Sequence, residues 1–268
     1  MDSVPVKLIE NVSQNIWSKS LECLSKVGGI WSAVATKTRD FPMLIVAIIV
    51  SGNDVYFRLF SYDFIRTFDM SLLDSKKNCI DSIIIINEAE APHTMDSLLT
   101  NEVLLKLRKM LLNGRKRLNS LDINSACGGS SQILQLLDSV VSVAGCSLKE
   151  DDDRLNNFFK RILMQTVLWF FFERIKEDLG ELLIDALKEN RLKGVQFDIS
   201  RNPLCDKIVH TILYEITGRK SFQIQLGGDY RYGFHSFTNL LKPLEMPGCN
   251  NLFEDQHGTV IQLDHGYY

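Results

Sequence analysis

The sequence predicts an α+β protein built from N-terminal helices, a small antiparallel β region, and a longer stretch in which helices and strands alternate. Three observations carry this. Apolar residues recur at helical spacing between Val4 and Ala35, three short β-branched and aromatic runs lie between Met43 and Ile86, and amphipathic and alternating segments follow one another from Met95 onward. The corresponding organisation is a helical segment over residues 1–40, a β-hairpin region over 41–94 and an α/β region over 95–268.

In the first segment Pro5 opens a run in which Leu8, Ile9, Val12 and Ile16 fall on one helical stripe. Leu21, Leu24 and Val27 form a second stripe, and Trp31, Val34 and Ala35 a third. Two or three short helices totalling ~35 residues cannot bury that much apolar surface by themselves. The surplus must meet either the rest of the chain or another protein.

These residues resemble a divergent F-box, the module that docks the Skp-type adaptor of cullin ubiquitin ligases. Pro5 falls on the motif proline, Leu8 and Ile9 on its aliphatic pair, and Val12 and Ile16 on the first-helix stripe. Leu21, Leu24, Ser25, Val27, Trp31, Val34 and Ala35 match the second half without a gap. The chain departs from the pattern at Lys7, at Trp17 and at Gly28-Gly29, where glycine replaces a polar, basic stretch. An opening Met-Asp-Ser-Val-Pro followed by such a segment and a β-rich stretch is also similar to the nematode F-box-containing families. The resemblance implies adaptor contact through Pro5, Leu8, Ile9, Val12, Ile16, Leu21, Leu24, Val27 and Trp31. The same spacing also fits helices that complete the chain's own core.

Beyond a polar connector, Thr36 to Asp40, the runs Met43 to Val50 and Val55 to Phe60 flank Ser51-Gly52-Asn53-Asp54 and predict a β-hairpin. Ile80 to Ile86 predicts a third strand of the same small antiparallel sheet. Helices are expected over Leu98 to Leu112 with a stop at Asn113-Gly114, over Ile133 to Leu137, over a long region from Leu155 to Leu187 with a break at Gly180, and over Asp206 to Ile216. Strands are expected at Leu118 to Ile123, Val140 to Ala144, Val195 to Ile199, Phe222 to Leu226 and Thr259 to Leu263. Arg117-Leu118-x-x-Leu121 echoes Arg191-Leu192-x-x-Val195, and Gly114-Arg115-Lys116 echoes Gly218-Arg219-Lys220. Such alternation resembles an irregular leucine-rich-repeat-like or open α/β layer, although the echoes are too unevenly spaced to define a repeat.

Candidate chemistry is sparse. Ala126-Cys127-Gly128-Gly129-Ser130-Ser131 lies between a strand and a helix, where backbone amides hold phosphates, but it lacks P-loop spacing and lysine; helix capping by Ser130 or Ser131 explains it. Glu150-Asp151-Asp152-Asp153 reads as a helix-start cluster rather than a metal site. The basic cluster Lys106, Arg108, Lys109, Arg115, Lys116 and Arg117 reads as a solvated helix end, without the interleaved aromatics of a nucleic-acid platform. His93, His210, His235, His257 and His265 show no ligand spacing, and no G-x-S-x-G or cysteine nucleophile context occurs.

Of 268 residues 45% are hydrophobic and 24% charged, an ordinary globular balance, and a net charge of −3 gives no global attraction to nucleic acid or anionic membrane. The six cysteines are scattered without a C-x-x-C pair, which points to reduced thiols. Without a secretory apolar stretch, and with Phe41 to Val50 too short to span a bilayer, the expected location is cytoplasmic or nuclear. The expected function is that of a non-catalytic interaction adaptor with neither cofactor nor metal, bound to a Skp-type subunit and to an unknown protein substrate, with no nucleic acid and no membrane as partner. The alternatives are a self-contained α/β interaction protein with no ligase link, or a small α/β phosphate-binding enzyme.

Overall fold

The computed structural model describes residues 5–15, 18–39, 43–61, 73, 78–87, 97–113, 117–124, 130–150 and 152–198, and beyond them 207–208, 211, 223–227, 241–243, 252–255 and 260–264. Two units divide the chain, Met1–Ala144 and Gly145–Tyr268. The boundaries drawn from the sequence at 40 and 94 both lie inside the first.

The first unit opens with three helices, α1 (Val6–Asn15), α2 (Ser18–Ser25) and α3 (Gly29–Arg39), and α3 packs on both of the others. Helix α3 absorbs most of the expected polar connector: Thr36 to Arg39 are helical, and Thr38 Oγ1 donates to the Val34 carbonyl. The hairpin forms as expected from β1 (Met43–Ser51) and β2 (Asp54–Ser61), around Gly52 at φ 58°. Glycine leads this two-residue turn because positive φ there costs it nothing.

The sheet of this unit is mixed rather than antiparallel. Strand β3 (Cys79–Asn87) runs parallel to β1 on the side away from β2, β5 (Arg117–Ile123) runs parallel to β3, and the two-residue β4 (Ser97–Leu98) pairs antiparallel with β2, giving the order β5-β3-β1-β2-β4. The physical reason is visible in β1, where every residue from Leu44 to Ile49 is buried. A strand apolar on both faces needs cover on both, which is the burial pattern of parallel strands, not of a half-solvated antiparallel sheet.

Helix α4 (Asn101–Asn113) begins three residues later than expected, because Thr100 Oγ1 accepts the Val103 amide (3.4 Å) and Leu98 belongs to β4. It buries Val103, Leu104, Leu107, Met110 and Leu111. Helix α5 (Ser131–Leu137) buries Ile133, Leu136 and Leu137, and leads into β6 (Ser142–Glu150), within which the unit boundary falls.

In the second unit the long helix expected over Leu155 to Leu187 is replaced by helix, strand and helix. A 3-10 turn (Asp153–Leu155) precedes α6 (Asn156–Leu163), then come β7 (Trp169–Arg174) and α7 (Glu177–Lys188). Trp169-Phe170-Phe171-Phe172 is a run of strand-favouring aromatics that periodicity alone mistook for helix. Gly180 is buried inside α7 and does not break it. That helix ends in a Schellman arrangement: Asn190 sits at φ 58°, its amide donates to Leu187 O, and the Arg191 amide to Ala186 O.

Strands β8 (Gly194–Asp198), β9 (Gln223–Gly227) and β12 (Val260–Asp264) continue the parallel run, and β11 (Leu252–Asp255) and β10 (Leu241–Pro243) close it antiparallel, in the order β6-β7-β8-β9-β12-β11-β10. Strands β4, β7, β10 and β11 have no counterpart in the sequence-based expectation. Of the helix expected over Asp206 to Ile216, Lys207, Ile208 and Thr211 are helical and the remainder lies outside the described residues.

A repeat is present after all. The pattern apolar-x-x-apolar-x-apolar occurs at Ile80/Ile83/Ile85, Leu118/Leu121/Ile123, Val143/Cys146/Leu148, Val167/Phe170/Phe172 and Leu192/Val195/Phe197, and Leu118, Val143, Val167 and Leu192 are 25, 24 and 25 residues apart. Equivalent positions meet across strands. Ile83 faces Leu121 in the first unit; in the second, Cys146 faces Phe170, Phe170 faces Val195, and Val167 bridges Leu192. A pattern recurring at this period sets equivalent apolar positions of neighbouring strands side by side. Phe159 of α6 covers these positions in the second unit, with its ring edge-on to Phe170 at 5.8 Å and 65°, and Phe172 lies a further 6.2 Å from Phe170.

Candidate docking surface

At ~100° per residue, Pro5, Leu8, Ile9, Val12 and Ser13 spread over one broad arc of α1, with Leu8 at one margin and Ser13 at the other. The structure buries the Ser13 side of that arc. Ile9 and Ser13, one turn apart, are fully buried, as is Ala35 of α3, the helix on which α1 packs. Leu8 at the opposite margin is 52% exposed. Val6, in the first turn, is 45% exposed and lies ~160° from Leu8 around the helix, near the Ser13 side. Pro5, also exposed, opens the helix: its carbonyl accepts the amides of Leu8 (2.9 Å) and Ile9 (3.3 Å), and its missing N–H costs nothing at a helix start.

The α2–α3 junction is a tight corner. Lys26 and Val27 amides donate to Cys23 O and Leu24 O, Ser32 Oγ reaches back to Ser25 O at 2.6 Å, and Gly28 and Gly29 take φ of 89° and 63°. The glycine pair that departs from the F-box pattern therefore forms the turn between two helices and weakens neither interior. The corner holds Val27 out into solvent, 55% exposed. On its flank Ser25 Oγ donates to Glu22 O (2.7 Å), and Lys26 pairs with Glu22 (2.9 Å).

Of the nine residues expected to contact an adaptor, Pro5, Leu8 and Val27 are exposed, Val12, Leu24 and Trp31 are half-buried, and Ile9 is enclosed. Ile16 and the side chain of Leu21 lie outside the described residues. Trp31 Nε1 and Ser13 Oγ are buried and meet no hydrogen-bond partner among the described residues. Val6 is also exposed; it is the first residue of α1.

The other candidates resolve differently. Ser130 occupies the N-cap position of α5 in extended conformation, but its side chain makes no capping hydrogen bond; Ala126 to Gly129 lie outside the described residues. Asp152 does cap, accepting the Arg154 amide (3.1 Å) and the Arg154 guanidinium. That hydrogen-bonded Arg154 holds its carboxyl below the usual range. Asp153 pairs with Lys176 (2.7 Å), so Asp152 and Asp153 are engaged within the chain; Asp151 and the side chain of Glu150 lie outside the described residues. In the basic cluster Lys106 pairs with Glu102 (2.7 Å) and Arg108 Nε donates to Ser139 Oγ (2.9 Å), whereas Arg115 and Lys116 lie outside the described residues. All five histidines also lie outside them. Among the described residues no group of three or more His, Cys, Asp or Glu converges as a metal site, and no helix is long and apolar enough to cross a membrane.

Among known protein families none has a model that matches this chain, and no curated protein matches it.

Proposed function

We propose that the chain is a non-catalytic adaptor of the F-box type. In this role α1–α3 dock a Skp-type subunit of a cullin ubiquitin ligase in the cytoplasm or nucleus, and the α/β region presents a surface to a protein substrate. One observation supports it above the rest: the helical segment that resembles the motif leaves Pro5, Leu8 and Val27 exposed while Ile9, Ser13 and Ala35 are buried. Pro5, Leu8 and half-buried Val12 fall within ~60° of one another around α1, and an apolar stripe left open to solvent marks an interaction site. Pro5, Leu8 and Val12 would supply the contact, and chemistry would reside in the partner ligase.

Complete burial of Ile9 is also what helices that merely finish the chain's own core would show. Calorimetric titration of the full chain with a purified Skp-type adaptor separates the two. Saturable 1:1 binding, weakened ~10-fold or more by Leu8→Ser at unchanged melting temperature, is expected for the adaptor. No binding by the parent chain would leave α1–α3 as part of a self-contained fold.

A further inference from the structure

We propose that the outer face of α4 docks an acidic amphipathic helix of a partner protein. Leu105 and Leu112 are 62% and 53% exposed. Seven residues apart, they fall within ~20° of each other on the helix, and Lys109 lies on the same stripe between them. The opposite face of α4 already buries Val103, Leu104, Leu107, Met110 and Leu111, so the two outer leucines are not needed to hold the helix in place. Leu98, three residues before the helix, adds a further exposed leucine at its N-terminal end.

The charges select the occupant. Lys106 is neutralised by Glu102, and Arg108 is tied down on Ser139. Exposed Lys109 has neither ion pair nor hydrogen bond to any described residue, and the sequence after the helix continues Gly114-Arg115-Lys116-Arg117. The stripe thus reads apolar, cation, apolar. Its complement is a helix presenting a carboxylate flanked by apolar side chains at i−4 and i+3. A second copy of this chain fits badly, since antiparallel α4 helices crossing at the stripe's centre would bring Lys109 against Arg108 and Lys109. Nucleic acid fits badly too, because the two leucines at the centre would meet phosphates. The proposal shares no residue with α1–α3 and does not rest on the adaptor role.

A fluorescein-labelled, ~20-residue helical peptide carrying a Leu–Glu–Leu stripe at i, i+4 and i+7, and its Leu–Lys–Leu counterpart, test it by anisotropy against the full chain. The acidic peptide is expected to bind. Leu105→Ser with Leu112→Ser, and separately Lys109→Glu, should weaken it ~10-fold or more, with circular dichroism and melting temperature unchanged. Lys109→Glu should in turn gain the lysine peptide. Absence of acidic-peptide binding, or binding indifferent to these substitutions, overturns the proposal. So does duplex DNA or RNA competing through Lys109, or concentration-dependent dimerisation abolished by the leucine pair.

Discussion

Leu8 and Ile9 are adjacent in α1 yet meet opposite environments, Leu8 52% exposed and Ile9 fully buried in a helix that packs on α3. The F-box resemblance treats them as one aliphatic pair; the structure places them in separate surroundings. Ile9→Ala is expected to cost about 2 kcal/mol or more, read as a lower denaturant midpoint, because it empties a closed site. Leu8→Ala should leave the midpoint nearly unchanged and weaken adaptor binding. Removing both together therefore lowers stability as well, so the pair cannot be tested as a single docking element.

Gly28 at φ 89° turns the chain between α2 and α3, and a Cβ placed there would meet nothing within 4 Å. A substitution is strained by backbone conformation alone. Gly28→Ala is expected to destabilise by about 1 kcal/mol, and Gly28→Asn by less, since asparagine tolerates left-handed φ better. Equal losses for the two in urea titrations would mean that side-chain crowding governs this turn.

Burial holds the Asp122 carboxyl of β5 above the usual carboxylate range. A raised value in the folded state means that the native protein keeps this proton to higher pH than the unfolded chain does. Stability is therefore fully present below the ordinary carboxylate pKa and is lost as pH rises through the raised one. Asp122→Asn should melt higher than the parent at about pH 7, with the advantage fading toward about pH 3. If the Asp122→Asn protein melts no higher than the parent at neutral pH, burial is not the governing effect.

Phe170 stands at the centre of the second unit's apolar side, between Phe159 and Phe172 and in register with Cys146 and Val195. Phe170→Ala should cost about 3 kcal/mol or more, whereas Phe171→Ala, one residue on and half-buried on the other side of the strand, should cost clearly less. Denaturation curves that rank the two the other way would contradict the assignment of the helix-covered side.

The hairpin was legible in the sequence because a glycine turn between two β-branched runs is a local signal, and Leu118 to Ile123 because its alternation is. The stretch from Leu155 to Leu187 was not. Phe158, Ile162 and Leu163 do follow helical spacing, but the same spacing runs on by chance into Trp169, which belongs to a strand. The echo of Leu118-x-x-Leu121 at Leu192-x-x-Val195 was legible, but the 24–25-residue period was not, because the intervening copies at Val143/Cys146 and Val167/Phe170 fill the same buried positions with other residues. In the N-terminal helices the apolar set was legible in the sequence, and only the packing of α1 separated buried Ile9 from exposed Leu8.

By itself the sequence determined the short-range features: where apolar periodicity starts a helix, where Gly52 turns a hairpin, and that the N-terminal helices carry more apolar surface than they can bury alone. Tertiary structure decided what depends on partners distant in the chain. It made β3 parallel to β1 because β1 is apolar on both faces, laid equivalent strand positions side by side at a 24–25-residue period, and chose which side of α1 and of α4 stays in water. Local propensity acts over a few residues, but burial is settled by which surfaces meet.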